Sequence, residues 1–123
     1  MKKNTILVVE DDDWLSEQYS RVLSAAGYMV ECVSDALSAI EKIDDISPGV
    51  IVLDVLLTGS TAFTLLHELQ SYSDTGSIPV ILCTNIASDL KFDDLKPYGV
   101  KRILDKSTMV PDDLVVSVRS VLS

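Results

Sequence analysis

The chain has 123 residues, of which 47% are hydrophobic and 24% charged, so we expect one folded domain over residues 1–123 rather than a disordered chain. Its net charge of −9 argues against a protein that binds nucleic acid or an acidic membrane, because phosphate contacts need lysine and arginine. No run reaches the roughly 18 apolar residues of a membrane span, and the N-terminal apolar run is too short for a signal peptide, so a cytoplasmic location is expected.

Short β-branched runs alternate with segments of helical periodicity along the chain. The predicted strands are Thr5–Val9, Met29–Val33, Val50–Leu53, Pro79–Cys83 and Lys101–Asp105. The predicted helices lie at Leu15–Ala26, Ala36–Ile43, Ala62–Leu69, Ser88–Lys96 and Pro111–Leu122, with apolar residues three or four apart. Five strand–helix units favour parallel strands joined by right-handed crossovers, and hence a doubly wound α/β sheet with helices on both faces.

Residues with capping or helix-ending preferences mark several element boundaries. Gly27 is expected to end the first helix and Ser34 to cap the second. Ser60 or Thr61 is expected to cap the third helix, and Pro111 to occupy the first position of the fifth.

Charged and hydroxyl side chains follow the predicted strands, where ligand sites of doubly wound sheets lie. They are Glu10, Asp11 and Asp12 after the first strand, Asp54 after the third, Thr84 after the fourth, and Asp105 and Lys106 at the end of the fifth. Neighbouring carboxylates repel one another, and a hard divalent cation such as Mg²⁺ removes that cost. We therefore expect Glu10 and Asp11 to hold Mg²⁺ beside Asp54, whereas Asp12 and Asp13 are better explained as acidic residues at a helix N-terminus.

Lys106 and Thr84 add the remaining groups that a phosphoryl acceptor needs. The carboxylate of Asp54 would attack phosphorus, while Mg²⁺, the lysine and the hydroxyl hold the phosphoryl oxygens. Taken singly, Thr84 is explained equally well as a strand-end cap and Lys106 as a surface lysine. Their combination with the carboxylates favours a phosphoaspartate site.

Four segments in order, "ILVVEDD", "VIVLD", "VILCT" and "ILDK", resemble the signature segments of the response regulator receiver domain. The resemblance covers Asn4 to Leu122 and is similar in kind to the stand-alone, single-domain regulators of chemotaxis. It implies a five-stranded (βα)5 flavodoxin-like fold with strand order 2-1-3-4-5.

The resemblance also implies a role for each residue at the strand ends. The roles are a phosphoacceptor at Asp54, an acidic Mg²⁺ pair at Glu10 and Asp11 with Asp11 the more direct ligand, a main-chain carbonyl ligand at Leu56, a switch hydroxyl at Thr84 and a phosphate-binding lysine at Lys106. The phosphodonor would be a histidine kinase or a histidine phosphotransfer protein, and the domain would catalyse only its own phosphorylation and dephosphorylation. Output is expected through a downstream protein at the face of the fourth helix, fifth strand and fifth helix, with an activation-dependent homodimer left open.

The chain departs from the family pattern at several positions. Ser107 stands where a proline usually follows the lysine, and Ile103 where an aromatic residue is usual, so the usual Thr-to-aromatic switch is not expected. The loop Thr58–Ala62 differs from the usual one in detail. Asn85 is larger, and Leu56 less polar, than is usual beside the acceptor, which leads to the hypothesis of a long-lived phosphoryl group.

Other readings of the same residues stay open. A pseudo-receiver, which has this fold but is not phosphorylated, is favoured by Ser107 and Ile103 and opposed by the complete set of acids, hydroxyl and lysine. A phosphatase with an aspartate nucleophile would need a second acid where Leu56 stands. A flavodoxin-like electron carrier is disfavoured because Asp11–Asp13 would repel a flavin phosphate.

Four further side chains carry simple expectations. Cys32 and Cys83 lie in apolar runs and are expected to be buried thiols without a redox or zinc role. Trp14 is expected to pack near the site, and His67 to lie on the surface of the third helix.

Overall fold

The computed structural model describes residues 5–57, 60–71, 75–85, 87 and 90–122. The strands are β1 Thr5–Val9, β2 Met29–Val33, β3 Val50–Leu53, β4 Val80–Thr84 and β5 Val100–Asp105. The helices are α1 Asp13–Ala25, α2 Ala36–Ile46, α3 Ala62–Gln70, α4 Phe92–Leu95 and α5 Pro111–Leu122, with a 3₁₀ turn Lys96–Tyr98 after α4. No helix in these residues combines the length and apolar character needed to cross a membrane.

The five strands form one parallel sheet in the order β2-β1-β3-β4-β5. This confirms the predicted doubly wound α/β fold and its strand order. All of β3 and four of the five residues of β1 are buried, as central strands covered on both faces require. Because β1 and β3 are neighbours, the residues that follow them meet at one edge of the sheet.

The two faces of the sheet bury separate apolar layers, and alternate residues of each strand point to opposite layers. On β1, Leu7 and Val9 pack with α2, α3 and α4. Ile6 and Val8 pack with α1 and α5. Burial of each such side chain contributes about 1.5–3 kcal/mol, so both helical layers are held firmly against the strands that carry the site.

Helix caps explain where α1 and α2 begin. The carboxylate of Asp12 accepts the Leu15 N–H at 3.1 Å, which confirms that Asp12 belongs to a helix N-terminus. The cap of α2 is Asp35, so the prediction of Ser34 was wrong by one residue. Asp35 accepts both the N–H and the hydroxyl of Ser38, at 2.8 and 3.1 Å, and these bonds lower the pKa of Asp35.

The fourth helix is shorter than the predicted Ser88–Lys96. Its α-helical part begins only at Phe92, and the chain tightens into the 3₁₀ turn at Lys96. Residues 88 and 89 of the prediction lie outside the described residues. Pro97 explains the early end, because proline lacks the N–H that would continue the α-helical bonds and restricts the residue before it. Gly99, at φ 87°, then turns the chain into β5.

The segment after β3 adds a small antiparallel pair, Leu56–Leu57 with Ser60–Thr61, directly before α3. The capping of α3 by Ser60 or Thr61 stays a prediction. Thr58 and Gly59 of the predicted loop lie outside the described residues.

Of four isolated side chains, some are buried and others exposed to solvent. Cys83 is buried, and burial raises its pKa to about 12. Cys32 is exposed, contrary to prediction, because β2 is an edge strand that neighbouring elements cover less completely. Trp14 is 67% exposed rather than packed, because α1 turns Ser16, Tyr19 and Leu23 inward instead, although it lines one groove with Lys106. His67 is exposed as predicted, and its ring contacts Tyr98 edge-on at a centroid distance of 4.8 Å.

Candidate functional site

Main-chain hydrogen bonds fix the residues that follow the strands. The Glu10 N–H donates to the Val33 carbonyl at 3.0 Å, and the Asp54 N–H donates to the Val9 carbonyl at 3.1 Å. The Lys106 N–H donates to the carbonyl of the last residue of β4 at 3.0 Å. The main chain of each of these three residues is therefore hydrogen-bonded to a neighbouring strand. This fixes the point on the sheet edge from which each side chain extends.

An ion cluster joins three of the predicted site residues. Lys106 Nζ lies 2.6 Å from Glu10 Oε1 and 3.2 Å from Asp54 Oδ2. The Glu10 side chain is 1% exposed, and those of Lys106 and Asp54 are each 10% exposed. The other Glu10 oxygen, Oε2, accepts the Asp12 N–H at 3.2 Å. The sequence correctly predicted that these strand ends converge.

Burial and charge shift the ionisation of the cluster. Burial raises the pKa of Glu10, and the nearby Asp54 carboxylate adds to that rise, although Lys106 opposes it. Burial by itself would lower the pKa of Lys106, but its hydrogen bond to Glu10 and the two negative charges raise it. The carboxylates together outnumber the one ammonium, so the site favours a further cation.

Three carboxylates at this edge suit a hard metal ion. Glu10, Asp11 and Asp54 each offer an oxygen, and these oxygens lie within 4.8 Å of one another. Mg²⁺ prefers such oxygen ligands and keeps several waters, so the residues fit the predicted ion by their chemistry and spacing. Leu56 begins a short strand two residues after Asp54, and the role of its carbonyl as a ligand stays a prediction.

Thr84 is the last residue of β4 rather than the first residue after it. It is 1% exposed, and the parallel register pairs it with Asp105 of β5. Its carbonyl accepts the Lys106 N–H, so the hydroxyl-bearing residue and the lysine are tied to each other through the backbone. The switch role of its hydroxyl stays a prediction. Asn85, which follows, is exposed.

Lys106 lies in a compact turn in which Ser107 replaces the proline that usually follows the lysine. Asp105 Oδ1 accepts the Ser107 N–H at 2.9 Å and the Ser107 hydroxyl at 2.6 Å, which lowers the pKa of Asp105. The Asp105 carbonyl also accepts the N–H groups of Thr108 and Met109. These hydrogen bonds were not anticipated from the sequence, although an aspartate two residues before a serine is a recognisable turn signal.

Ile103 occupies the position of the usual aromatic residue on β5. It is half-buried and packs against the apolar layer formed by α2, α3 and α4. Tyr98 lies before β5 in the 3₁₀ turn, and its ring contacts His67.

Comparisons with known proteins agree with the fold and identify the family. The family model of the response regulator receiver domain matches residues 6–119. The chain is 33% identical over 107 residues to the response regulator MprA of Mycobacterium ulcerans (strain Agy99), which covers 80% of this chain and 46% of that protein. The first curated relatives that match are longer proteins, of which the matched region covers between 33% and 55%.

Solved structures show the same architecture over nearly the whole chain. The chemotaxis protein CheY4 of Vibrio cholerae matches with a TM-score of 0.86 and 26% identity, covering 95% of this chain and 97% of that one. The receiver domain of NtrX from Brucella abortus matches with a TM-score of 0.81 and 26% identity, with the same coverage of each chain. The resemblance in the signature segments is confirmed, and the chain belongs to the response regulator receiver domain family of two-component signalling.

Proposed function

We propose that Asp54 accepts a phosphoryl group from a histidine kinase or a histidine phosphotransfer protein in a Mg²⁺-dependent reaction. The observation that carries this proposal is the buried ion cluster, in which Lys106 contacts both Glu10 and Asp54 beside a third carboxylate, Asp11. Receiver domains as a family interact with histidine kinases and with downstream effectors.

In the transfer, an Asp54 carboxylate oxygen forms a bond to phosphorus while the bond from phosphorus to the donor histidine nitrogen breaks. The nitrogen keeps the electron pair of the broken bond, and Asp54 becomes an acyl phosphate. Glu10, Asp11, Asp54 and the predicted Leu56 carbonyl would hold Mg²⁺, which when bound would supply positive charge to the phosphoryl oxygens. The hydrogen bond from the Asp54 N–H to the Val9 carbonyl of β1 holds the nucleophile in place.

A phosphoryl group on Asp54 changes the relative attraction of the Lys106 ammonium to Glu10 and to Asp54. The ammonium is closer to Glu10, at 2.6 Å, than to Asp54, at 3.2 Å. A dianion at Asp54 attracts the ammonium more strongly than one carboxylate does, so we expect Lys106 to shift towards the phosphoryl oxygens while the Thr84 hydroxyl donates to them. This shift biases an equilibrium between two loop arrangements.

The output is proposed to be contact with a downstream protein at the α4-β5-α5 face. Phe92 and Val116 are exposed apolar residues of its two helices, and Lys101 and Arg102 are exposed on β5. An activation-dependent homodimer and a cytoplasmic location also belong to this proposal. That the chain works as a single stand-alone domain stays a prediction.

Binding of beryllofluoride, which mimics a phosphoryl group on aspartate, tests the proposal by ¹⁹F NMR without a kinase. We expect a bound fluorine signal that requires Mg²⁺ and disappears in Asp54→Asn. Asp45→Asn, an exposed acid on α2, is the matched control and should keep the signal. A folded wild-type protein that gives no bound signal with Mg²⁺ would favour the pseudo-receiver, which does not accept a phosphoryl group.

A further inference from the structure

One residue, Asp105, accepts four hydrogen bonds in the turn that follows β5. Its carboxylate oxygen Oδ1 accepts the Ser107 N–H at 2.9 Å and the Ser107 hydroxyl at 2.6 Å. Its carbonyl accepts the N–H of Thr108 at 3.2 Å and that of Met109 at 2.9 Å. The main chain and the side chain of Asp105 together therefore hold the segment 105–109.

Hydrogen bonds fix the backbone on both sides of the Lys106 Cα atom. Before this atom, the Lys106 N–H donates to the Thr84 carbonyl at 3.0 Å. After it, the Ser107 N–H donates to the Asp105 carboxylate. Because peptide groups are planar, the two groups that flank a Cα atom determine the direction in which its side chain leaves the backbone. Without the Asp105 carboxylate, the peptide group between Lys106 and Ser107 would lose this bond and could rotate.

Such a rotation matters because the Lys106 ammonium acts over short distances. Nζ lies 2.6 Å from Glu10 Oε1 and 3.2 Å from Asp54 Oδ2. Lys106 follows β5, which β4 separates from β3, so its extended side chain reaches these carboxylates from two strands away. A misplacement of about 1 Å at a reacting centre can lower the rate about 100-fold. The backbone that carries Lys106 is therefore a point at which the acceptor site can be controlled.

Asp105 acts on the lysine through the backbone and not through its charge. Among the described residues, the ion pairs of the Lys106 ammonium are with Glu10 and Asp54. The carboxylate of Asp105 is instead occupied by Ser107 on the solvent side of the turn. An asparagine at this position would offer the same oxygen acceptor without the charge, so it should hold the turn equally well.

The task of Asp105 depends on the serine at position 107. A proline there would restrict the turn through its ring and would have no N–H for Asp105 to accept. With Ser107 in its place, the turn is restrained by the two hydrogen bonds to the Asp105 carboxylate.

We propose that Asp105 is a positioning residue of the phosphoryl-acceptor site. By holding Ser107 it fixes the backbone at Lys106, and this keeps the ammonium within reach of both Glu10 and Asp54. The effect of Asp105 on the reaction rests on the phosphoryl-acceptor function proposed above, whereas its effect on the position of the lysine does not.

The position of the lysine is tested by NMR of the lysine Cε groups, with Lys106→Met to identify the Lys106 signal. A side chain held in one place gives two distinct Cε proton shifts, and a mobile one averages them. We expect distinct shifts in the wild type and in Asp105→Asn, and averaged shifts in Asp105→Ala. Ser107→Ala removes the hydroxyl bond alone and should lie between them. It makes the same comparison if Asp105→Ala does not fold.

The effect on the acceptor is tested by beryllofluoride titration with Mg²⁺, followed by ¹⁹F NMR. Binding should be about threefold to tenfold weaker in Asp105→Ala, as expected for the loss of one or two hydrogen bonds, and should return to the wild-type value in Asp105→Asn. Asp112→Ala is the matched control, because Asp112 is an exposed acid in the first turn of α5 and its loss changes the net charge equally. The control should bind beryllofluoride as the wild type does.

Each other outcome overturns a stated part of the proposal. Averaged Lys106 shifts in the wild type, or unchanged shifts in Asp105→Ala, show that Asp105 does not hold the lysine. Equal losses in Asp105→Ala and Asp105→Asn show that the charge acts and not the hydrogen bonds. Changed Lys106 shifts with unchanged beryllofluoride affinity overturn the role in the reaction. The absence of a fluorine signal from the folded wild type overturns the phosphoryl-acceptor function, while the Cε shifts still decide whether Asp105 positions Lys106.

Discussion

Replacing Lys106 by methionine removes the one ammonium of the ion cluster and keeps an apolar chain of similar length. In the wild type this ammonium contacts Glu10 at 2.6 Å and Asp54 at 3.2 Å, and all three side chains are at least nine-tenths buried. Removal of one partner from a buried ion pair costs about 3–5 kcal/mol, because an uncompensated charge remains. We expect the lower end, about 3 kcal/mol, since Asp11 is exposed and the cluster lies at the edge of the sheet.

The loss of unfolding free energy in Lys106→Met should depend on pH. Burial holds the folded-state pKa of Glu10 above its unfolded value, and loss of Lys106 raises it further. A carboxyl group with a raised folded-state pKa stabilises the fold at pH values below its unfolded pKa, and this stabilisation disappears as the pH rises through the folded pKa. The free energy of unfolding of Lys106→Met should therefore approach the wild-type value in acid and fall below it near neutral pH.

Urea unfolding in EDTA at several pH values measures this difference. Lys42→Met is the matched control, because Lys42 pairs with Glu31 at 3.5 Å with side chains 34% and 45% exposed. Such an exposed pair contributes about 0–1 kcal/mol, so the control should lose little at any pH. A loss in Lys106→Met no larger than in the control, or one independent of pH, would refute the electrostatic reasoning. Mg²⁺ should raise the free energy of unfolding of Lys106→Met by about 2.7 kcal/mol, relative to the same variant in EDTA, at a concentration 100-fold above its dissociation constant.

Three further substitutions test single features of the chain. Asp105→Ala removes the acceptor of two Ser107 hydrogen bonds, so beryllofluoride should bind more weakly by ¹⁹F titration while the melting temperature changes little; equal binding would show that the turn does not position Lys106. Asn85→Ala should shorten the lifetime of phosphorylated Asp54, followed after donor removal, and wild-type turnover within seconds would contradict the long-lifetime hypothesis. Gly99→Ala should lower the free energy of unfolding, measured in urea, by about 1–2 kcal/mol, because φ is 87° and the new Cβ would lie 3.3 Å from the Ile78 carbonyl oxygen. An unchanged free energy of unfolding would show that an alanine is not strained at this position.

The sheet could be predicted from the sequence because its signals are local. Runs of β-branched residues bounded by glycine, proline and acids gave three strands with their observed ends, and the other two within one residue. The errors arose where a tertiary neighbour decides the outcome. Cys32 is exposed because β2 is an edge strand, and Trp14 is exposed because α1 rotates other residues towards the core. Neither fact is contained in the apolar pattern of its own segment.

The candidate site was predictable for a geometric reason. The carboxyl ends of parallel neighbours meet, so Glu10 and Asp54 had to converge once β1 and β3 were adjacent. Lys106 follows β5, which β4 separates from β3, and its long side chain spans that distance to both carboxylates. Which carboxylate the lysine contacts more closely was not predictable. That choice depends on the turn after β5, where the chain has a serine at 107 in place of the usual proline.

The substitution of proline by Ser107 changes how the lysine is held, without removing the lysine from the site. A proline restricts the turn through its own ring, whereas Ser107 donates two hydrogen bonds, from its N–H and its hydroxyl, to the solvent-accessible carboxylate of Asp105. Such bonds can open and re-form when Lys106 moves between Glu10 and an occupied Asp54. The departure from the family pattern therefore falls on the turn that carries Lys106, and this is where we expect the phosphorylated and unphosphorylated forms to differ most.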